Sequence, residues 1–75
     1  MKEKVEKYFE TEYNQTAGYL RNHECGIIEK SEIVWYALQR CLGVAQFTQD
    51  LGVPYEFLEP LYYAYREKLQ ELIDK

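Results

Sequence analysis

Three side chains are of the kinds that zinc prefers as ligands: His23, Cys25 and Cys41. A closed structural zinc site needs four imidazole or thiolate donors in a tetrahedral arrangement. Three donors are one short, and no Cys-x-x-Cys or His-x-x-x-His pair supplies more of them. Cys41 also lies on an apolar helical stripe, where free cysteine behaves as a small hydrophobic residue. We therefore predict no metal site and no cofactor.

Side chains suited to acid–base catalysis are few. The chain has one histidine, its carboxylates are scattered, and it has no Gly-rich phosphate loop. Glu12, at the edge of an apolar stripe, and Arg40, between two aromatic residues, are candidates for perturbed groups in a cleft. We expect each to be a surface or snorkelling side chain instead. A domain of this length also lacks the pocket of roughly 300 Å³ or more that small molecules use. We predict neither an enzyme nor a small-molecule substrate.

The segment DLGVPYEFLEPLYYAY, residues 50 to 65, has the pattern of a helix-turn-helix corner at residues 51–54. The apolar and small positions of such a motif are filled by Phe47, Thr48, Leu51, Gly52, Val53, Leu58 and Leu61. These positions serve packing, whereas DNA binding needs side chains that reach bases and phosphates. The exposed positions hold Pro54, Tyr55, Glu56, Glu59 and Pro60, which include two anions and no phosphate donor. We therefore disfavour direct binding of nucleic acid.

Three apolar stripes at helical spacing position these residues. The first stripe holds Val5, Phe9, Tyr13, Thr16 and Leu20. The second holds Val34, Ala37, Leu38, Cys41, Ala45 and Thr48, with Ile33, Trp35, Leu42, Val44 and Leu51 beside it. The third holds Tyr62, Tyr65, Leu69, Leu72 and Ile73. They predict an all-α fold: a small antiparallel three-helix bundle with helices near residues 3–22, 32–51 and 60–73, in a single helical domain over residues 1–75.

The residues between the stripes predict where the helices begin and end. Ser31 is a plausible N-cap for the second helix, and Gly52 is a candidate C-cap. Ile27 and Ile28 are too apolar for a free linker, so we expect them to fold back over the end of the bundle. Pro60 implies either that a short separate turn of helix precedes it or that one helix bends there.

Composition narrows the class of protein. Nine Lys and Arg against 13 Asp and Glu give a net charge of -4, which repels phosphate backbones and anionic lipids. Apolar runs are only a few residues long, whereas a membrane helix needs about 20. With 47% hydrophobic and 16% aromatic residues, the chain is too apolar for a disordered tail. We see no export leader, and we predict a cytoplasmic protein with two reduced cysteines.

The far side of the second helix carries aromatic residues where polar ones are expected. We call Tyr36, Arg40, Gly43 and Phe47 the outer face. Aromatic and Arg side chains are enriched at interface cores, and Gly43 would let a partner helix approach closely. Tyr63, in the third helix, extends this candidate interaction surface. The alternative is that the third helix or residues 27–28 cover the outer face within one molecule.

These features favour a small non-enzymatic protein-interaction module. Its first expected partner is a second copy, because most soluble oligomers are symmetric dimers and a chain this short buries little surface alone. The second hypothesis is a regulator of nucleic-acid transactions, either a divergent helix-turn-helix protein or an acidic protein that occupies a DNA-binding partner. Exposure of Glu56, Glu59 and Glu67 would favour the second hypothesis, and burial of that surface would favour the first.

Overall fold

The computed structural model describes residues 1–74, which form three mutually packed α-helices. Helix α1 spans Lys2–Asn22, α2 spans Ile27–Asp50 and α3 spans Tyr55–Glu71. Each helix contacts both others, and the bundle measures 40 × 16 × 16 Å. The predicted all-α three-helix bundle is confirmed. Lys75, the last residue of the predicted domain, lies outside the described range.

Two clusters of buried side chains fill the bundle. The cluster near the α2–α3 corner contains Val5, Phe9, Cys41, Ala45, Val53 and Leu58. The cluster at the other end contains Val34, Ala37, Leu38 and Leu69. Phe9 is fully buried, and its ring meets the ring of Tyr65 edge-on at 5.7 Å. The α1 and α2 stripes supply most of these side chains. Since the apolar stripe of α2 faces the core, the opposite side of α2 is exposed to solvent.

Helix α2 begins at Ile27, so the predicted start at residue 32 with a Ser31 cap is wrong. Gly26 is the N-cap, and its carbonyl accepts a hydrogen bond from the N–H of Lys30 at 3.0 Å. The backbone therefore starts the helix without a side-chain cap.

The first turns of α2 do not cover the bundle. Ile27 and Ile28 are 73% and 78% exposed, so the expectation that they fold back is wrong. The reason is length: α2 has 24 residues and α3 has 17, a difference of about 10 Å at about 1.5 Å per residue. Val34 is the first buried residue of α2.

The corner at residues 51–54 joins α2 to α3, as predicted. The N–H of Gly52 donates to the carbonyl of Gln49, and the N–H of Val53 donates to the carbonyl of Thr48, both at 3.0 Å. This is the Schellman arrangement that commonly ends helices. Gly52 has φ +105°, which residues with a side chain adopt only with strain. Val53 then returns to the core, where it is buried.

Helix α3 begins at Tyr55 and runs through Pro60, so the predicted start at residue 60 is wrong. The carbonyl of Pro54 accepts hydrogen bonds from the N–H groups of Phe57 and Leu58 at 3.0 and 3.2 Å. Leu58 is buried in the core, which holds the first turn of α3 in place ahead of Pro60. Of the two arrangements considered for this segment, the structure has one helix.

Candidate interaction surface

The outer face lies on the side of α2 opposite the core. Tyr36 is 57% exposed and Phe47 is 63% exposed, and Arg40 and Gly43 are exposed between them. Neither α3 nor residues 27–28 cover these side chains in the described part of the chain. The four residues follow one another at spacings of four, three and four, which places them on one stripe of the helix.

A buried carboxylate holds Arg40. The Nε–H of Arg40 donates to Oε1 of Glu12 at 2.6 Å, and a terminal guanidinium nitrogen pairs with the same oxygen. Glu12 is 6% exposed, whereas the side chain of Arg40 is 52% exposed. The hydrogen bond to Glu12 raises the pKa of Arg40 above its usual value. The expectation of a surface Glu12 is wrong, because Arg40 reaches across from α2 and pairs with it.

Burial and the carboxylate of Glu12 disfavour the ionised forms of two neighbouring side chains, Cys41 and Tyr8. Burial raises the pKa of the Cys41 thiol to about 11, and the charge of Glu12 acts in the same direction. Burial and then Glu12 also raise the pKa of Tyr8. Since the thiolate is the reactive and metal-binding form, Cys41 at neutral pH is a protonated core residue.

Glu12 and Arg40 form part of a groove between α1 and α2. Its other lining residues are Gln15, Thr16, Tyr19, Ile33 and Tyr36. The groove has a volume of about 320 Å³ but opens widely to solvent. It is therefore a surface depression beside the outer face, and it lacks the enclosure that is typical of small-molecule sites.

Tyr63 lies at a different groove. It is 54% exposed and borders the space between α2 and α3 together with Leu42, Gln46 and Tyr62. Tyr36 borders the groove on the α1 side of α2. The structure thus places the four outer-face residues on one stripe of α2, and Tyr63 borders the groove on the α3 side of that helix.

The potential zinc ligands lie in two places: His23 and Cys25 border one surface depression at the connector, and Cys41 lies in the core. Nδ1 of His23 is 3.0 Å from the carbonyl of Tyr19, and the His23 ring stacks on the Tyr19 ring at 4.2 Å. Cys25 is a half-buried free thiol in the connector, and Cys41 is a free thiol in the core. Residues 1–74 contain no group of three or more His, Cys, Asp or Glu side chains placed to hold a metal ion.

The acidic residues of α3 face solvent. Glu56, Glu59 and Glu67 are all exposed. The hydroxyl of Tyr55 donates a hydrogen bond to the carboxylate of Glu59, and this bond raises the pKa of Tyr55. This exposure is the condition that favours the second functional hypothesis.

The sequence matches no family model, no curated protein and no solved structure. Among the helices formed by residues 1–74, none has the length and apolar character needed to cross a bilayer. Function must therefore be argued from the surface of the bundle itself.

Proposed function

We propose that this chain is a small, non-enzymatic protein-interaction module whose outer face binds a second copy of the chain. The observation that carries the proposal is the exposed Phe47 on a stripe that also presents Gly43 and Tyr36. A Cβ atom added at Gly43 would have no neighbour within 4 Å, so packing inside the described chain does not require a glycine. Glycine in a helix interior costs about 0.5–1 kcal/mol relative to alanine, and close approach of a partner helix is a reason to keep it.

The composition of the outer face suits association. Aromatic side chains supply large apolar area at low entropic cost. Exposed Trp35 on the same helix and exposed Leu51 at its C-cap add to that area. A standard interface covers about 800 Å² per partner, roughly a seventh of the 5339 Å² surface of the chain. Glu12 holds Arg40 in position, so Arg40 loses less freedom when a partner binds.

We place this module in the cytoplasm. Two free cysteines, one of them in the connector, are typical of proteins kept in a reducing compartment. The bundle has a small core, and a second copy would bury more apolar surface than one molecule buries alone.

The test is the substitution Phe47→Glu. A charge in a desolvated apolar contact costs several kcal/mol of association, roughly 2–4 kcal/mol for an interface anchor. We expect the wild-type chain to sediment as a dimer at high concentration and the variant to sediment as a monomer. Circular dichroism of the same samples should show unchanged helix content, because Phe47 is outside the core clusters.

Ile28→Glu is the matched control, since Ile28 is a 78% exposed apolar residue in the first turn of α2, about 28 Å along the helix from Phe47. It should leave the dimer intact. Tyr63→Glu tests whether the interaction surface extends to α3: it should weaken the dimer in sedimentation if Tyr63 is part of the interface, and leave it unchanged otherwise. A wild-type chain that is monomeric at every concentration, or a Phe47→Glu variant that loses its helices, would refute self-association through the outer face.

The exposed acidic residues of α3 support a second candidate function, a regulator that occupies a basic DNA-binding partner. Glu56, Glu59 and Glu67 belong to a chain of net charge -4, and opposite potentials steer such partners together. Affinity capture from the native host should then recover basic proteins, and Gln at all three positions should abolish the capture. Recovery by wild type and variant alike would exclude this role for α3.

A further inference from the structure

We infer that the two copies pair through antiparallel α2 helices, with a two-fold axis level with Ala45. Phe47 of each copy then packs over Gly43 of the other, and Arg40 of each copy faces Asp50 of the other. This inference rests on the proposed self-association and adds the orientation and register of the two helices.

The spacing of the outer face supports helix-on-helix packing. Tyr36, Arg40, Gly43, Phe47 and Asp50 follow one another at intervals of four, three, four and three residues. This alternation is the spacing of the facing positions in a coiled coil, where each side chain fits between side chains of the opposite helix. All five residues are exposed, so the stripe is available along most of α2.

Charge and size favour the antiparallel orientation. A parallel pair would set each residue against its own copy, so Arg40 would face Arg40 and Gly43 would face Gly43. That arrangement opposes like charges and leaves a gap at the glycines. An antiparallel pair instead sets unlike residues opposite each other, and a large side chain opposite a small one lets the two helices interdigitate.

The register follows from the distances along the sequence. Gly43 and Phe47 lie two residues before and after Ala45, and Arg40 and Asp50 lie five residues before and after it. An axis nearer the start of α2, midway between Arg40 and Gly43, would set Arg40 against Gly43 and Asp50 against Ile33. Arg40 and Asp50 would then each face an uncharged residue. With the axis at Ala45, Arg40 faces Asp50 and Gly43 faces Phe47.

Arg40 is able to serve two carboxylates at once. Glu12 engages the Nε–H and one terminal nitrogen of the guanidinium. An arginine carries five N–H donors, so donors remain for the carboxylate of Asp50 from the second copy. Half of the Arg40 side chain is exposed, which leaves room for that contact.

The first experiment is Asp50→Lys, measured by sedimentation and thermal unfolding. A lysine would face Arg40 of the second copy, so we expect the dissociation constant to rise by roughly tenfold or more. The same lysine lies in the last turn of α2, where a cation interacts favourably with the helix dipole, so the fold should keep or gain stability. Association and folding would then change in opposite directions.

Glu10→Lys is the matched control, because it makes the same change in charge at an exposed residue of α1 that borders neither groove beside α2. It should leave the dissociation constant within about twofold of wild type. Equal weakening by both variants would mean that net charge matters and the register does not, and the inference would be overturned. A wild-type dimer that tolerates Asp50→Lys would overturn the register and leave self-association standing.

The second experiment tests orientation by cross-linking single cysteines with a short bismaleimide. In a Cys25→Ser background, the remaining Cys41 is buried, and its thiol pKa of about 11 keeps it unreactive at neutral pH. Gln46 and Gln39 are both exposed on one flank of α2. In the proposed dimer the two copies of Gln46 lie about 3 Å apart along the helix axis, and the two copies of Gln39 about 18 Å apart.

Gln46→Cys should therefore cross-link to itself, and Gln39→Cys should not. The Cys25→Ser parent is the control and should give no cross-link. Cross-links only in a mixture of the two variants would place the axis elsewhere and overturn the register. A sedimenting dimer without a Gln46→Cys cross-link would overturn the inferred pairing, and a wild-type monomer would overturn the proposed function itself.

Discussion

Glu12 determines the chemistry of its surroundings at the level of single residues. Its carboxylate fixes Arg40 at the outer face and adds to the burial that keeps the Cys41 thiol protonated. Its burial follows from spacing: Val5, Phe9, Glu12 and Thr16 lie four, three and four residues apart. Charge alone suggests a surface position, and the compensating arginine comes from another helix. That pairing is a tertiary contact, which a sequence pattern within α1 does not contain.

Removing one partner of the pair should cost more than removing both. Arg40→Met leaves a buried carboxylate without its hydrogen bonds, and we expect the free energy of unfolding to fall by about 1–3 kcal/mol. Arg40→Met combined with Glu12→Leu replaces both charges with apolar groups and should recover most of that loss. Urea unfolding at low protein concentration, where a dimer does not contribute, measures both. A double variant less stable than Arg40→Met would contradict this account.

The two cysteines should react at different rates. Cys25 is half-buried in the connector, whereas Cys41 is 1% exposed with a thiol pKa of about 11. Since the thiolate is the nucleophile, a maleimide at neutral pH should label Cys25 first. Mass spectrometry of the time course identifies the labelled residue. Labelling of both thiols at equal rates in native buffer would show that the core around Cys41 opens readily.

At the level of the helices, the sequence predicted the type and order of the elements but not their ends. The stripes are set by burial, and burial is what the spacing of apolar residues reports. The ends depend on backbone hydrogen bonds, such as the bond that the Gly26 carbonyl accepts. The spacing of apolar residues places Trp35 and Leu51 at the sides of the core stripe, yet each is 55% exposed in the structure. The spacing of apolar residues alone does not determine how much of the surface of α2 is buried by the neighbouring helices.

Two glycines should respond to alanine in opposite ways. Gly43→Ala adds a methyl group in open space within a helix, so the monomer should gain about 0.5–1 kcal/mol of stability. Gly52→Ala forces a side chain into φ +105° at the end of α2 and should lose about 1 kcal/mol or more. Thermal unfolding at low protein concentration compares them. If the outer face pairs closely, Gly43→Ala should also weaken the dimer while it stabilises the monomer.

At the level of the whole molecule, the corner between α2 and α3 resembles that of a DNA-binding protein, whereas the net negative charge opposes DNA binding. The Schellman arrangement around Gly52 and the buried Val53 and Leu58 satisfy the packing part of a helix-turn-helix pattern. A packing pattern is shared by any two helices that meet at such a corner. The exposed residues at the start of α3 carry the information about binding, and two of them, Glu56 and Glu59, are acidic.

We therefore expect no saturable binding of duplex DNA at physiological salt. The phosphate backbone attracts proteins that neutralise it with Lys and Arg and release counterions, which makes such binding fall steeply with added salt. Here a net charge of -4 opposes the approach, and Glu56 and Glu59 lie on the surface that a recognition helix would present. Fluorescence anisotropy of labelled duplex measures this, with Gln at both positions as the comparison. Binding by wild type that weakens steeply with salt would overturn the protein-interaction proposal in favour of a DNA reader. Binding by the Gln variant alone would mean that the carboxylates of Glu56 and Glu59 prevent this corner from binding DNA.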